Sequence, residues 1–126
     1  MGGHKRGYKM SEEQDLEQIE ISLEAAKKHQ DLYKSLQILK NNVHFKKVFG
    51  DYYLDKYALR LVMLKASMGT QDEKNQANIK NQLDAIGHMN QFMLFIEQEG
   101  MLADKAIEDF ESEKDTILTE EVRTDA

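Results

Sequence analysis

The sequence predicts an all-α protein. Three observations carry that prediction. The 126 residues contain no proline. Apolar residues recur at spacings of three and four over two long stretches. No stretch alternates apolar and polar residues as a half-buried strand does. Proline removes a backbone donor and clashes inside a helix, so its absence leaves long helices uninterrupted. Hydrophobic residues make up 40% of the chain and charged residues 32%, which suits helices with one buried stripe and a broad solvated face. This balance predicts either an elongated monomer or an oligomer that completes its core between chains.

Residues 1–10 read as a flexible basic arm, or as an addition ahead of a native start at Met10. Gly2, Gly3 and Gly7 make helix costly there, and His4, Lys5, Arg6 and Lys9 supply positive charge. The Met-Gly start does not complete a myristoylation motif, because Arg6 stands where Ser or Thr is preferred.

The first helix is expected at about residues 11–40. Ser11 can cap it with Gln14 at the capping-box position, and Glu12, Glu13 and Asp15 complement the helix dipole. Its seam runs through Leu16, Ile19, Leu23 and Ala26, shifts phase near His29, and continues through Leu32, Leu36, Leu39 and Val43. The pattern is coiled-coil-like with one stutter.

Asn41-Asn42 suits a turn. A short helix at about residues 43–49 should end at Gly50 as a left-handed cap, and Asp51 should cap another at about residues 52–67. Phe45, Phe49, Tyr52, Tyr53 and Tyr57 concentrate the aromatic residues here, so this region is expected to form the compact core. Thr70 and Glu73 suggest a second capping box. A helix at about residues 71–118 follows, with a seam through Ile79, Leu83, Ile86, Asn90, Met93, Gly100, Ala103, Ile107, Phe110 and Ile117. Asn90 at a core-type position would fix register at some cost in stability. Gly87 and Gly100 each cost a helix about 1 kcal/mol relative to alanine, so Gly100 is the place for a kink or a break into two helices. Residues 119–126 read as an acidic frayed tail, leaving 11–118 as a single helical domain.

Composition excludes several chemistries. The net charge of −6 is the wrong sign for a duplex-DNA binder, leaving only the basic N-terminal arm for nucleic acid. The absence of cysteine removes disulfides, thiol catalysis and cysteine-held metals. No apolar run approaches the ~20 residues of a membrane span, and the start has no apolar signal region. His4, His29, His44 and His88 form no metal-binding spacing. Asp84 and His88, four apart, read as an ordinary helix-surface pair. Phosphate-loop, dinucleotide-fold and nucleophile-elbow motifs are absent. The sequence therefore points to no catalytic residue, no cofactor and no metal, and to a protein that is not an enzyme.

Contact along helix surfaces is the remaining mode of action. Leu16, Ile19, Leu23, Leu83, Ile86, Asn90, Met93, Ile107 and Phe110 are the expected helix-packing interface. Phe92, Phe95 and Ile96 form an apolar patch on a second side of the last helix, and a helix apolar on two sides is contacted on two sides. That patch is expected to face a protein partner. Lys46, Lys47, Lys56 and Arg60 should line the outer face of the middle helices, where they could hold acidic groups.

The runs Leu16-Glu17-Gln18-Ile19-Glu20-Ile21-Ser22, His44-Phe45-Lys46-Lys47-Val48-Phe49-Gly50-Asp51-Tyr52-Tyr53, Leu59-Arg60-Leu61-Val62 and Asp84-Ala85-Ile86-Gly87 resemble small acidic helical proteins encoded by tailed bacteriophages. The resemblance covers about residues 12–121 and excludes the basic arm. It carries no activity. It implies a virion or head-assembly component, present in the host cytoplasm during infection and in the virion. Its implied partners are itself and another phage structural protein. A small acidic inhibitor or adaptor directed at a host protein is the competing expectation.

Overall fold

The computed structural model describes the backbone of residues 3–125 and the side chains of residues 12–122. It is all-helical over the described residues, as the composition and spacing predict. Helix α1 spans Gly3–Asn41 and α4 spans Glu73–Asp125. Between them α2 (Val43–Phe45), a π-helical segment (Lys46–Tyr57) and α3 (Ala58–Lys65) follow without interruption. A 3-10 turn, Met68–Thr70, leads into α4. The backbone of α1 begins well before Ser11, and the capping expected of that side chain lies outside the described residues, as do the side chains of the basic arm.

Asn42 separates α1 from the middle helix. It is extended, at φ −68° and ψ 130°, and its side-chain oxygen accepts from the backbone N–H groups of His44 and Phe45. This satisfies two donors that every helix start leaves unpaired. The break expected at Gly50 does not occur, because no glycine among the described residues has a positive φ and the helix runs through it. Phe45, Phe49, Tyr53 and Tyr57 explain why. Their rings form a ladder with centroids 5.2, 5.9 and 6.0 Å apart. Side chains four residues apart are neighbours on one helical side, so each ring meets the next across a turn, and the ladder spans the π-helical segment that contains Gly50. The ring contacts offset what Gly50 costs.

The turn after α3 is held by side chains. Ser67 is extended, at φ −75° and ψ 144°. The Thr70 hydroxyl donates to the Leu64 and Ser67 carbonyls. The Gln71 amide donates to Lys65 O at 3.0 Å, and the Gln76 amide to the same carbonyl at 2.9 Å. These bonds pair carbonyls that a helix end leaves open. The cap of α4 is Asp72, two residues after Thr70, the capping residue expected, whose hydroxyl is bonded back to the end of α3 instead. Asp72 Oδ2 accepts from Asn75 N at 3.1 Å, and Oδ1 accepts from the Asn75 amide at 2.7 Å. The bonds to Asn75 hold the Asp72 carboxyl below its ordinary value of 3.8. The sign follows: a carboxyl with a depressed folded pKa stabilises above its unfolded pKa and loses that contribution as pH falls through the folded value. Asp72→Ala should therefore lower Tm at neutral pH, and its Tm deficit against the native protein should shrink as pH drops below about 3.8. A thermal melt series for both proteins measures it.

The chain divides into two compact units, Met1–Leu32 with Gln98–Ala126, and Tyr33–Glu97. In the first, α1 and α4 run antiparallel. Lys114 pairs with Glu20 at 3.3 Å and the Gln30 amide donates to Asp104 at 2.8 Å, so α4 retreats ten residues as α1 advances ten. The core of this unit is Ile19, Leu23, Ala26 and Ala103. In the second, the middle helix lies antiparallel to α4. Leu61, Ile79 and Ile86 form its central cluster, with Tyr53, Leu54, Tyr57, Ala58, Leu64 and Leu83 packed around them. Leu36 and Met93 are also buried in this unit, and Lys40 ties α1 to Glu97 of α4 at 2.6 Å.

α4 is continuous through Gly100, which is buried, so neither a break nor a separate last helix exists. It also continues past Leu118, where fraying was expected, to Asp125.

Candidate interaction surfaces

The buried and half-buried positions of α4 in the second unit are Gln76, Ile79, Gln82, Leu83, Ile86, Met89, Met93, Ile96 and Glu97. In the first unit they continue as Glu99, Gly100, Ala103, Ala106, Ile107, Phe110, Lys114 and Ile117. Ile79, Gln82, Ile86, Met89, Met93 and Ile96 keep alternating steps of three and four, which is a heptad register. The expected seam follows it at Ile79, Ile86, Met93, Ala103, Ile107 and Phe110. It departs at Asn90, which is exposed. Asn90 is therefore not a register device within the chain; Met89 takes the inward position beside it. Gln82 is a polar seam residue, and its side-chain oxygen accepts from the Tyr57 hydroxyl at 2.6 Å. A half-buried amide oxygen opposite a phenol is satisfied where an unpaired one would cost stability.

On α1, Ile19 and Leu23 are buried and Leu16 half-buried, as expected of packing positions. Beyond the phase shift the seam passes through Gln30, Tyr33 and Leu36 instead. Leu32, Leu39 and Val43 are 53%, 47% and 68% exposed, so the continuation expected through them is corrected. Leu83, Ile107 and Phe110 are half-buried. Most of the predicted packing interface is thus covered by the chain's own helices.

Several large apolar side chains are left uncovered as well. Phe92 and Phe95, on α4 of the second unit, are 53% and 54% exposed, and Leu94 between them is exposed too. Ile96, expected in the same patch, is half-buried at a seam position and faces the packing instead. The middle helix has its aromatic ladder on the core side and Val48, Tyr52, Leu59, Val62 and Met63 exposed. Lys46, Lys47, Lys56 and Arg60 are exposed on this helix as expected. A monomer normally scatters such residues singly, whereas clusters of them mark contact surfaces.

Among the described residues, no group of three His, Asp or Glu side chains could hold a metal ion, and no buried side-chain polar atom lacks a partner. Asp84 pairs with Lys80 at 3.0 Å, an i,i+4 surface pair on α4. No described helix is long and apolar enough to cross a membrane. The charge is unevenly shared. The first unit has 17 acidic and 8 basic residues, a net −9, and the second has 6 acidic and 9 basic, a net +3. The cross-helix ion pairs and the Tyr57–Gln82 bond were not legible from spacing, because each joins residues that become neighbours only once the antiparallel register is set.

No protein-family model, no curated protein and no solved structure matches this chain.

Proposed function

We propose that the chain is a non-enzymatic structural or assembly protein, of the kind tailed phages encode, that works by helix-mediated self-association and by docking on a larger partner. The observation that carries this reading is the apolar surface left over after the chain has packed its own seams. Phe92 and Phe95 present about half of their surface to solvent, and large aromatic side chains supply much of the energy of protein interfaces. Self-association must then use faces other than the packing seams, because Ile19, Leu23, Ile86 and Met93 are buried in the single chain. Phe92 and Phe95, three residues apart on one side of α4, are assigned to the larger partner. The phage attribution rests on the four sequence runs that resemble such proteins, and it places the chain in the host cytoplasm during infection and in the virion.

A second reading is favoured by one observation. The net −9 of the first unit is an acidic field that suits an inhibitor or adaptor covering a basic site on a host protein. Mass spectrometry of purified phage particles, run beside affinity capture from infected cells, separates the two. Stoichiometric presence in particles is the expected result. Absence from particles, with capture of a single host protein, would replace the first reading with the second.

A further inference from the structure

The middle helix has two apolar sides and uses one. Its ladder side packs on α4, while Val48, Leu59 and Val62 are 50–60% exposed on the other; Tyr52, half exposed at their edge, leans its ring to 5.9 Å from that of Tyr57. Val48 and Tyr52 share a shallow hollow with Lys47, Asp51 and Lys56, and Arg60 follows Leu59 on the exposed surface. Between residues 46 and 65 there are five basic residues and two acidic ones. The face is therefore apolar with a basic rim. Two such faces cannot meet each other well, because antiparallel pairing would set Lys46 and Lys47 against Arg60 and Lys65, and like charges brought together at an interface are costly.

The chain itself supplies the complement. In the first unit, the end of α4 presents Leu118 and Val122, 40% and 69% exposed, four residues apart on one helical side. Asp115 and Glu121, three residues either side of Leu118, are exposed with them. This is an apolar stripe with an acidic rim, on a unit of net −9, and the basic-rimmed face lies on a unit of net +3. Apolar matches apolar and charge opposes charge only when the first unit of one copy meets the second unit of another.

We infer that the exposed side of the middle helix binds the acidic end of α4 from a second copy of this chain. This rests on the self-association reading above and names the two surfaces that meet. An amphipathic helix laid on a complementary apolar face is a recurrent recognition mode. The opposed rims fix which surfaces pair and make the contact salt-sensitive. If each copy engages the other reciprocally the contact closes as a two-fold dimer, and if not it propagates head to tail.

A mixing experiment tests it. One variant carries Lys47→Glu, Lys56→Glu and Arg60→Glu, and the other Asp115→Lys and Glu121→Lys. All five positions are exposed, and circular dichroism checks that both variants keep their helix. By sedimentation at about 100 µM, the native chain should associate, with its Kd rising about tenfold between about 50 and about 500 mM salt. Each variant alone should be monomeric, since each presents like charge on both surfaces. Their equimolar mixture should restore a 1:1 complex. A mixture that stays monomeric overturns the inference, as does association of either variant alone at native strength; the latter leaves self-association standing through another face. A monomeric native chain overturns both. Binding of inorganic polyphosphate by a native chain that does not bind itself would give the basic face to an anionic polymer and also overturn the inference.

Discussion

Replacing Leu61 with alanine is expected to destabilise the second unit by about 3 kcal/mol. Leu61 is 3% exposed and sits in a cluster of three buried side chains, with Ile79 and Ile86. Truncation loses the transfer energy of the removed carbons and leaves a cavity, and the cost depends on how far the surroundings collapse. Here Tyr57 and Leu64 are only half-buried against the cluster, so they have some freedom to move in. That places the expectation in the middle of the observed range for such changes. Leu59→Ala is the control. It lies two residues away on the same helix but is 60% exposed, and a surface change of this kind should stay within about 0.5 kcal/mol. Urea unfolding followed by tyrosine fluorescence reads this unit selectively, because Tyr33, Tyr52, Tyr53 and Tyr57 all lie in it and Tyr8 alone does not. Equal effects of the two substitutions would contradict the assignment of the core side.

Enlarging Ala103 to leucine is expected to cost the first unit about 2 kcal/mol. Ala103 is 3% exposed, less than Ile19, Leu23 or Ala26 in that unit, and the small residues Ala26, 7% exposed, and Gly100 are buried there too. Small side chains at seam positions let helix backbones approach closely, and extra carbons in a packed interior force neighbours off their preferred rotamers. Leucine is nearly as good a helix former as alanine, so the loss would report packing and not propensity. Ala25→Leu, exposed on α1, should leave stability within about 0.5 kcal/mol. Helical circular dichroism during urea unfolding measures both.

The helical class was legible because its signals are local. Missing proline and three-four spacing act residue by residue, whatever the fold becomes. The heptad count of α4 was legible in most positions but lost its phase at Asn90. Choosing between Gln82 and Leu83, or Met89 and Asn90, requires knowing which side the partner helix occupies. Gln82 looks polar and outward until Tyr57 is opposite it. Gly50 was misread for a related reason. A glycine between two apolar runs signals a cap when only propensity is weighed, and the ring ladder that spans it joins residues four apart on both sides of the glycine. On α1, Leu32 and Leu39 fit a seam by hydrophobicity alone, yet Tyr33 and Leu36 take it. Of the expected partner-facing patch, Phe92 and Phe95 are exposed and Ile96 turns inward. That difference again follows from register. Charge segregation between the units was hidden in a single net value, since the two segments of the acidic unit lie at opposite ends of the sequence.

The central claim is that exposed apolar faces, and not reactive groups, are what this chain works with. Sedimentation equilibrium of the native chain beside Phe92→Ser/Phe95→Ser, each with and without the proteins of purified phage particles, tests it most directly. The account predicts that both proteins self-associate above the 14.6 kDa of one chain, since these two phenylalanines lie outside the self-association surfaces. Only the native chain should form a heavier complex with a particle protein, and the variant should keep its helix content and bind at least tenfold more weakly, a loss of about 1.4 kcal/mol or more. A native chain that stays at the mass of one copy and forms no complex, or a doubly substituted chain that binds as tightly as the native one, would contradict it.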